Sequence, residues 1–588
     1  MTSWIRRFRK ESSEQVATKE PGSITTAFSD NPSSEAENDK EAASMNCSIP
    51  GEPVAVASLE QPRDAQETSE KSENARAEPE YASGITLLII IIGLSLAVLL
   101  VALDNTIITT AIPTITNHFK ALDDVGWYGS SYLLTTCAFQ LVFGKVYTFF
   151  PVKWVFLTAI GIFEIGSVVC GAAPSSEALI IGRAIAGMGA SGIFSGALVI
   201  VAYTVPLEKR PIYNGLFGGM YGIASVVGPL MGGAFTDHLS WRWCFYINLP
   251  IGAVTIFAIL VFLKAPKQNL NTSLSWKARL LQLDPIGSAA FMPGVVCLLL
   301  ALQWGGTRYA WGNWRIIILF ILFAILISVF IGIQIYKGDD ATVPPRIFTQ
   351  RSIASAAFFA LTLGSSFFII VFYLPIWFQA IKGASATKSG IMAIPLVLAL
   401  VIFSLLSGIG TTVTGYYTPF TYVASILSTI GAGMLTTFTT TTGHEKWIGY
   451  QVIFGTGLGF GFQLPLIAAQ TVLPLEDVAV GTVIVMFAQT FGGALFVSVG
   501  QNVFGNRLMS GIREAVPDID PSLVLEVGAT QLKELVPPAL LDNVQEAYNA
   551  ALTNTWYVSV AMSAIGIIGA LGLEWKSVKG KQIQPGVV

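Results

Sequence analysis

A helix needs roughly 20 consecutive, mostly apolar residues to cross the hydrocarbon core of a bilayer. Runs of that length recur almost from end to end of this chain of 588 residues. A transmembrane β-barrel would instead show alternating segments of roughly 10 residues. Stretches such as Leu87 to Val101 are apolar without a break, so the fold class is all-α and integral to the membrane. Composition agrees: 12% of the residues are charged, about half of what an ordinary soluble surface uses. About fourteen spans are expected. The first seven lie near 85–112, 126–147, 154–173, 178–204, 212–236, 244–263 and 284–303. The rest lie near 314–336, 353–378, 387–409, 416–438, 447–469, 478–504 and 553–573.

Between and around the spans the sequence excludes several classes of function. A net charge of -3 gives no reason to expect a nucleic-acid partner. Cys47, Cys137, Cys170, Cys244 and Cys297 have no metal-ligand spacing, and His118, His238 and His444 are scattered over connections. No metal or other cofactor is expected. No nucleophile–base set and no Gly-Lys-Ser/Thr phosphate loop is present, which argues against an enzyme and against ATP hydrolysis.

Residues 1–80 are polar, rich in Ser, Glu, Ala and Pro, and read as a disordered tail. They contain no signal-peptide core, so the first span is expected to act as its own targeting signal. The connections carry more Lys and Arg on one side, including Lys145, Lys153, Lys209, Arg210, Lys264, Lys337, Arg346 and Arg351. By the positive-inside rule that side is cytoplasmic, with both termini inside. Residues 505–552, with Pro517, Pro521, Pro537 and Pro538, read as a folded or partly helical extracellular loop.

Acids within the spans are rare, which singles out Asp104 and Glu164. A charged group at mid-bilayer costs roughly 2.5–3.5 kcal/mol even on insertion scales, so such residues mark proton or ion pathways by default. Burial favours the protonated form, and a carboxyl that loads a proton on one side and releases it on the other is what a proton-coupled carrier needs. Arg183 is the expected partner of Asp104, because helix rise puts both at similar depth below one face. The plainer alternatives are a permanent ion pair, a capped kink, or an Arg snorkelling to the interface. A second signal is the run from Ala224 through Gly228-Pro229 to Gly232-Gly233, where small residues permit close helix approach and Pro bends the helix. Gly455, Gly457, Gly459 and Gly461 repeat the small-residue pattern.

These residues resemble the major facilitator superfamily, and within it the fungal fourteen-span drug:proton antiporters that export toxins and drugs. Leu103-Asp104-Asn105-Thr106-Ile107 with Ala111-Ile112-Pro113 is similar to the acidic first-helix motif of that group. Arg183 with Gly187, Gly189 and Ala190 is similar to its fourth-helix motif, and Gly228-Pro229 with Gly232-Gly233 to its fifth-helix antiporter motif. Trp241-Arg242-Trp243 through Ile247-Asn248-Leu249-Pro250, and Tyr373-Leu374-Pro375 through Phe378-Gln379, share the resemblance. The chain departs from the family at two places. Thr148 and Lys145 stand after Gly144 where the family carries an acid and further basic residues, and Ala224 replaces a glycine.

The resemblance implies two six-helix bundles with two inserted helices: 81–264, a linker 265–340, and 341–575, flanked by the tails 1–80 and 576–588. It also implies a monomeric, multi-pass carrier of the cell membrane, with the vacuolar membrane as the alternative. Its partners are then a small amphipathic molecule, protons and the lipid bilayer. Phe139, Gln140, Gln463 and Gln489 are the candidate lining residues, each of which could equally bond a neighbouring helix. An importer or vacuolar carrier of the same fold, for a siderophore or a basic amino acid, and a non-transporting sensor remain as alternatives.

Overall fold

A computed structural model of the chain describes residues 83–120, 124–264, 282–306, 309–516, 537 and 540–579. The expected tail 1–80, the segment 265–281 and the middle of the expected loop therefore lie outside the described residues. Long helices account for nearly all of the rest: α1 (Gly84–Phe119), α2 (Val125–Phe149), α3 (Val152–Gly171), α4 (Ser176–Thr204), α5 (Arg210–His238), α6 (Asn248–Phe262) and α7 (Pro285–Trp304). The order continues with α8 (Trp314–Lys337), α9 (Arg351–Ala380), α10 (Ile394–Thr414), α11 (Thr418–Leu435), α12 (His444–Gly461), α13 (Leu475–Ala515) and α14 (Leu541–Gly572).

Among the described residues, thirteen helices or helical stretches are long and apolar enough to cross a membrane. The remaining one, α2, has the length but is more polar, carrying Ser130, Ser131, Thr135, Thr136, Gln140 and Lys145. Those polar groups face protein rather than lipid: Gln140 and Lys145 are buried, and Thr136 donates to the carbonyl of Gly187 on α4.

Helices α1–α6 pack on one another, with α3 against α4, α2 against α4 and α1 against α5 as the largest faces. Helices α9–α14 do the same, through α9 with α13 and α14 and through α12 with α10 and α11. The glycine run of α12 explains the last arrangement. Gly455 and Gly459 lie against backbone carbonyls of Leu396 and Leu400 on α10, while Gly457 and Gly461 face Ser428 and Ala424 on α11. The two halves meet along α5–α10 and α2–α13. Helix α7 is wedged against α2 and α13, and α8 packs on α7 with only Ile316, Phe330 and Gln334 buried. Its remaining apolar surface is what a lipid-facing helix presents.

Three spans are interrupted. A short turn of helix, Trp243–Tyr246, precedes α6, and another, Ala386–Met392, precedes α10. Helix α12 breaks at Phe462 and Gln463 and resumes as Leu464–Val472, with Pro465 in its first turn. The expected 505–552 segment is helical at both ends. Helix α13 continues to Ala515 and α14 begins at Leu541, because Leu508, Ile512, Val544, Ala547, Tyr548 and Leu552 are buried in the second core.

The inserted pair is tied down at its basic end by Asp284, in the left-handed region at φ 53°, which short polar residues tolerate. Its fully buried carboxylate accepts from Lys337 Nζ (2.9 Å), Gln334 Nε2 (2.8 Å), the Gly287 N–H (2.9 Å) and Thr342 Oγ1 (3.0 Å). Burial pushes this carboxyl up, but the hydrogen bonds from Lys337, Gln334, Gly287 and Thr342 outweigh it and hold the group down at about 2. A depressed folded-state value contributes stability that is full above the unfolded value of about 4 and is lost as pH falls toward 2. Asp284→Asn is therefore expected to lower the melting temperature in detergent at pH 7. The gap between variant and parent should close in acid; a gap independent of pH would contradict the assignment.

Candidate functional site

The site begins at Asp104, in the middle of α1 and fully buried. Its Oδ2 accepts from Arg183 Nη1 of α4 at 2.5 Å, and its Oδ1 accepts from Asn248 Nδ2 of α6 at 3.0 Å. Arg183 is equally buried rather than reaching outward. Its Nε donates to the carbonyl of Tyr128 at 2.9 Å, and its guanidinium lies 4.3 Å from the centre of the Tyr132 ring. Asn248 also donates to Ser167 Oγ of α3 at 3.1 Å. One buried carboxylate thus gathers α1, α3, α4 and α6. Glu164, the other singled-out acid, lies on α3 against Gly252 of α6, with neither carboxyl oxygen hydrogen-bonded.

The small residues of α5 lie against α1 directly after Asp104. Thr106 Oγ1 donates to the carbonyl of Ala224 at 2.9 Å. A β-carbon at Gly228 would collide with Thr106, and one at Gly232 with Thr110 and the carbonyl of Ile107. Ala224, Gly228 and Gly232 recur every four residues, so they form one stripe, and the stripe brings α5 onto α1. Pro229 and Gly233 face the other half instead, toward Gly390 and Thr387. Pro229 has no N–H, so the carbonyl of Ser225 lacks its helical donor.

Ser225 lines a small cavity between the halves, together with Gly218, Tyr221 and Gly222 of α5, Phe367 and Val371 of α9, Val397 and Leu400 of α10, and Phe462. The volume is about 20 Å³, room for roughly one water and far less than the several hundred Å³ that a drug-sized ligand needs. Phe462 belongs to the break in α12, where Gln489 Nε2 donates to its carbonyl at 3.1 Å. Gln463 lies at the same break, beside Gly218, and both its amide atoms are buried without a partner. Of the four candidate lining residues, Gln463 and Gln489 thus meet at this break. Gln140 is buried on α2 with Oε1 unpartnered, and Phe139 packs against the first core. No contact brings those two to the cavity.

The departure after Gly144 has a structural counterpart. Lys145 is buried and donates to the carbonyl of Asp339 at 3.3 Å, in the turn after α8. Arg346, in the short helix Pro345–Phe348, pairs with Asp339 at 3.2 Å and in bidentate fashion with Asp477 of α13 at 2.9 and 3.1 Å. The inserted pair thereby joins α2 to α13 across the basic end. Sequence reasoning used Lys145 and Arg346 for orientation, and Lys145 also for the altered loop after Gly144; it did not single out Asp339 or Asp477. The signal for Asn248 was its place in the Ile247–Pro250 motif; nothing in the sequence paired it with Asp104.

Residues 94–497 match the Major Facilitator Superfamily. The chain belongs to this superfamily. It is 70% identical over 505 residues to the MFS-type efflux pump MFS1 of Arthroderma benhamiae, covering 86% of this chain and 94% of the relative. It is 52% identical over 509 residues to the efflux pump aflT of Aspergillus parasiticus, covering 86% and 99%. Among solved structures, the human organic anion transporter MFSD10 superposes with a TM-score of 0.53 at 11% identity, covering 82% of this chain and 100% of that one. The proton:xylose symporter XylE gives 0.52 at 12%, covering 84% and 98%. At such identities these two speak for the fold alone. The chain is a multi-pass membrane transporter of this superfamily.

Proposed function

We propose that this transporter is a proton-driven exporter of amphipathic organic molecules, a class that includes fungal secondary metabolites and drugs. The observation that carries the reading is the buried Asp104–Arg183 pair on α1, the helix whose neighbouring face, at Thr106 and Thr110, receives the glycine stripe of α5. Protonating Asp104 removes the charge that holds Arg183 and Asn248. The change falls on α1, which is bonded to α5 at Thr106 and Ala224, and α5 forms the long interface with α10 of the other half. A proton can thereby bias which face of the carrier opens, the rocking motion that transporters of repeated bundles use. The cavity wall is apolar apart from the hydroxyls of Tyr221 and Ser225, which favours a cargo with a large apolar part once the halves separate. Efflux pumps among the relatives point the same way, as does the absence of charged groups from the cavity lining. We place the protein in the cell membrane as a monomer, with the Lys145 end and both termini cytoplasmic.

The test is transport by the purified full chain in proteoliposomes loaded with an amphipathic fluorescent dye. An imposed pH gradient is expected to drive dye movement against its concentration, and a protonophore to stop it. Dye movement indifferent to the protonophore would overturn the reading.

A further inference from the structure

The wall between α3 and α6 contains a second carboxyl for which the fold provides a seat. Both oxygens of Glu164 are enclosed and neither meets a donor. The floor of the seat is Gly252, where any β-carbon would collide with Glu164 Oε1 and lie 2.7 Å from its Cδ. One helical turn earlier, on the same face of α6, stands Asn248, bonded to Asp104 and to Ser167. Ser167 in turn lies one turn after Glu164 on the same face of α3. The Oδ1 of Asn248 is also buried without a donor. Two acceptor groups thus share one buried wall that offers them no proton, an unfavourable arrangement for buried polar groups. A proton on Glu164 supplies the missing donor.

We infer that Asn248, Ser167 and Gly252 hold Glu164 as a second proton-carrying carboxyl in series with Asp104. Asn248 is the positioning residue through which the charge of one carboxyl governs the other. The inference rests on the proton-coupled reading and adds to it a residue set and a proton count. With Asp104 ionised, Asn248 Nδ2 is held to it, and Glu164 stays protonated because neighbouring carboxylates resist double ionisation. When Asp104 takes up a proton, the amide is released and can turn to the Glu164 carboxylate, which gives up one proton in exchange. One proton is bound at Asp104 for each released at Glu164, so the buried charge is unchanged through the step. The other ionisable groups around this wall are Tyr132 from α2, Arg183 from α4, Cys170 on α3 itself, and Cys244 and Tyr246 in the turn before α6. Of these, Arg183 is engaged by Asp104, leaving the two carboxyls as the exchanging pair.

The test is infrared difference titration of the reconstituted full chain, following the carboxylic acid C=O stretch with pH. The parent protein is expected to show a band of a buried, protonated carboxyl that Glu164→Gln removes. Asn248→Ala and Gly252→Ala should each move its midpoint by about one pH unit, a tenfold change in proton affinity. Asn248→Gln, which keeps the amide, should restore it in part. A band that survives Glu164→Gln, or a midpoint unmoved in Asn248→Ala, overturns the inference. Asn248→Ala remains decisive even if Gly252→Ala does not fold. Loss of gradient-driven transport in Asp104→Asn together with an unmoved midpoint would sink this inference alone. Normal coupling in Asp104→Asn would sink the proton reading itself.

Discussion

Asp104→Asn is expected to reduce gradient-driven export to background while leaving the protein in the membrane. The asparagine keeps the shape of the aspartate and can still accept from Arg183, so the α1–α4 contact survives in outline. What it removes is the proton-binding group. The difficulty is Arg183, which becomes a buried cation without a counter-ion. Removing one member of a buried pair typically costs about 3–5 kcal/mol. The Tyr132 ring 4.3 Å away offsets part of this, by about 0.5–2 kcal/mol. The double variant Asp104→Asn/Arg183→Gln separates the two effects. Without charge on either side, it should be better folded than the single variant and equally unable to couple. Elution as a single species in detergent and the protonophore-sensitive dye signal are the two measurements. A double variant that regained proton-driven transport would show that the pair is structural only.

How much of this was legible in the sequence follows from what each feature depends on. The spans were legible because a run of apolar residues needs no knowledge of its neighbours. Asp104 and Arg183 could be paired because helix rise fixes depth, and depth was enough to bring two rare charges together. Asn248 was not found in that way: it carries no charge to single it out, and its bond to Asp104 depends on which face α6 turns to α1. The same holds for Lys145, whose partner Asp339 is reached only because α7 and α8 fold back against α2 and α13. The break at Phe462–Gln463 had a local signal in Pro465, since a proline favours the first turn of a new helix. The four prolines of the expected 505–552 segment all lie between Ala515 and Leu541, while its helical ends depend on the fold burying Leu508, Ile512, Val544 and Tyr548.

Within the α5 motif, the variants should separate by which neighbour each glycine meets. Gly233 faces only the tip of Thr387, with a β-carbon 3.3 Å from its Oγ1. That hydroxyl can rotate aside, so Gly233→Ala should keep most of its transport. Gly228 and Gly232 face α1, where nothing comparable can yield. A β-carbon at Gly228 would press on the Thr106 side chain, 2.9 Å from its Cβ, and lie 3.1 Å from the Ile107 nitrogen. Overpacking of this kind costs about 1–3 kcal/mol in an ordinary core, and here it also separates the helix that carries Asp104 from the helix that meets the other half. Gly228→Val and Gly232→Val should therefore lose nearly all transport even where the protein is present in normal amount. Compensation sharpens the test. Thr106→Ala should partly restore Gly228→Ala, because the principal obstacle there is a side chain. Thr110→Ala should fail to restore Gly232→Ala, because the carbonyl of Ile107 remains in the way. Rescue of both pairs would mean that α1 and α5 need not touch, and that the charge state of Asp104 reaches the other half by some route other than α5.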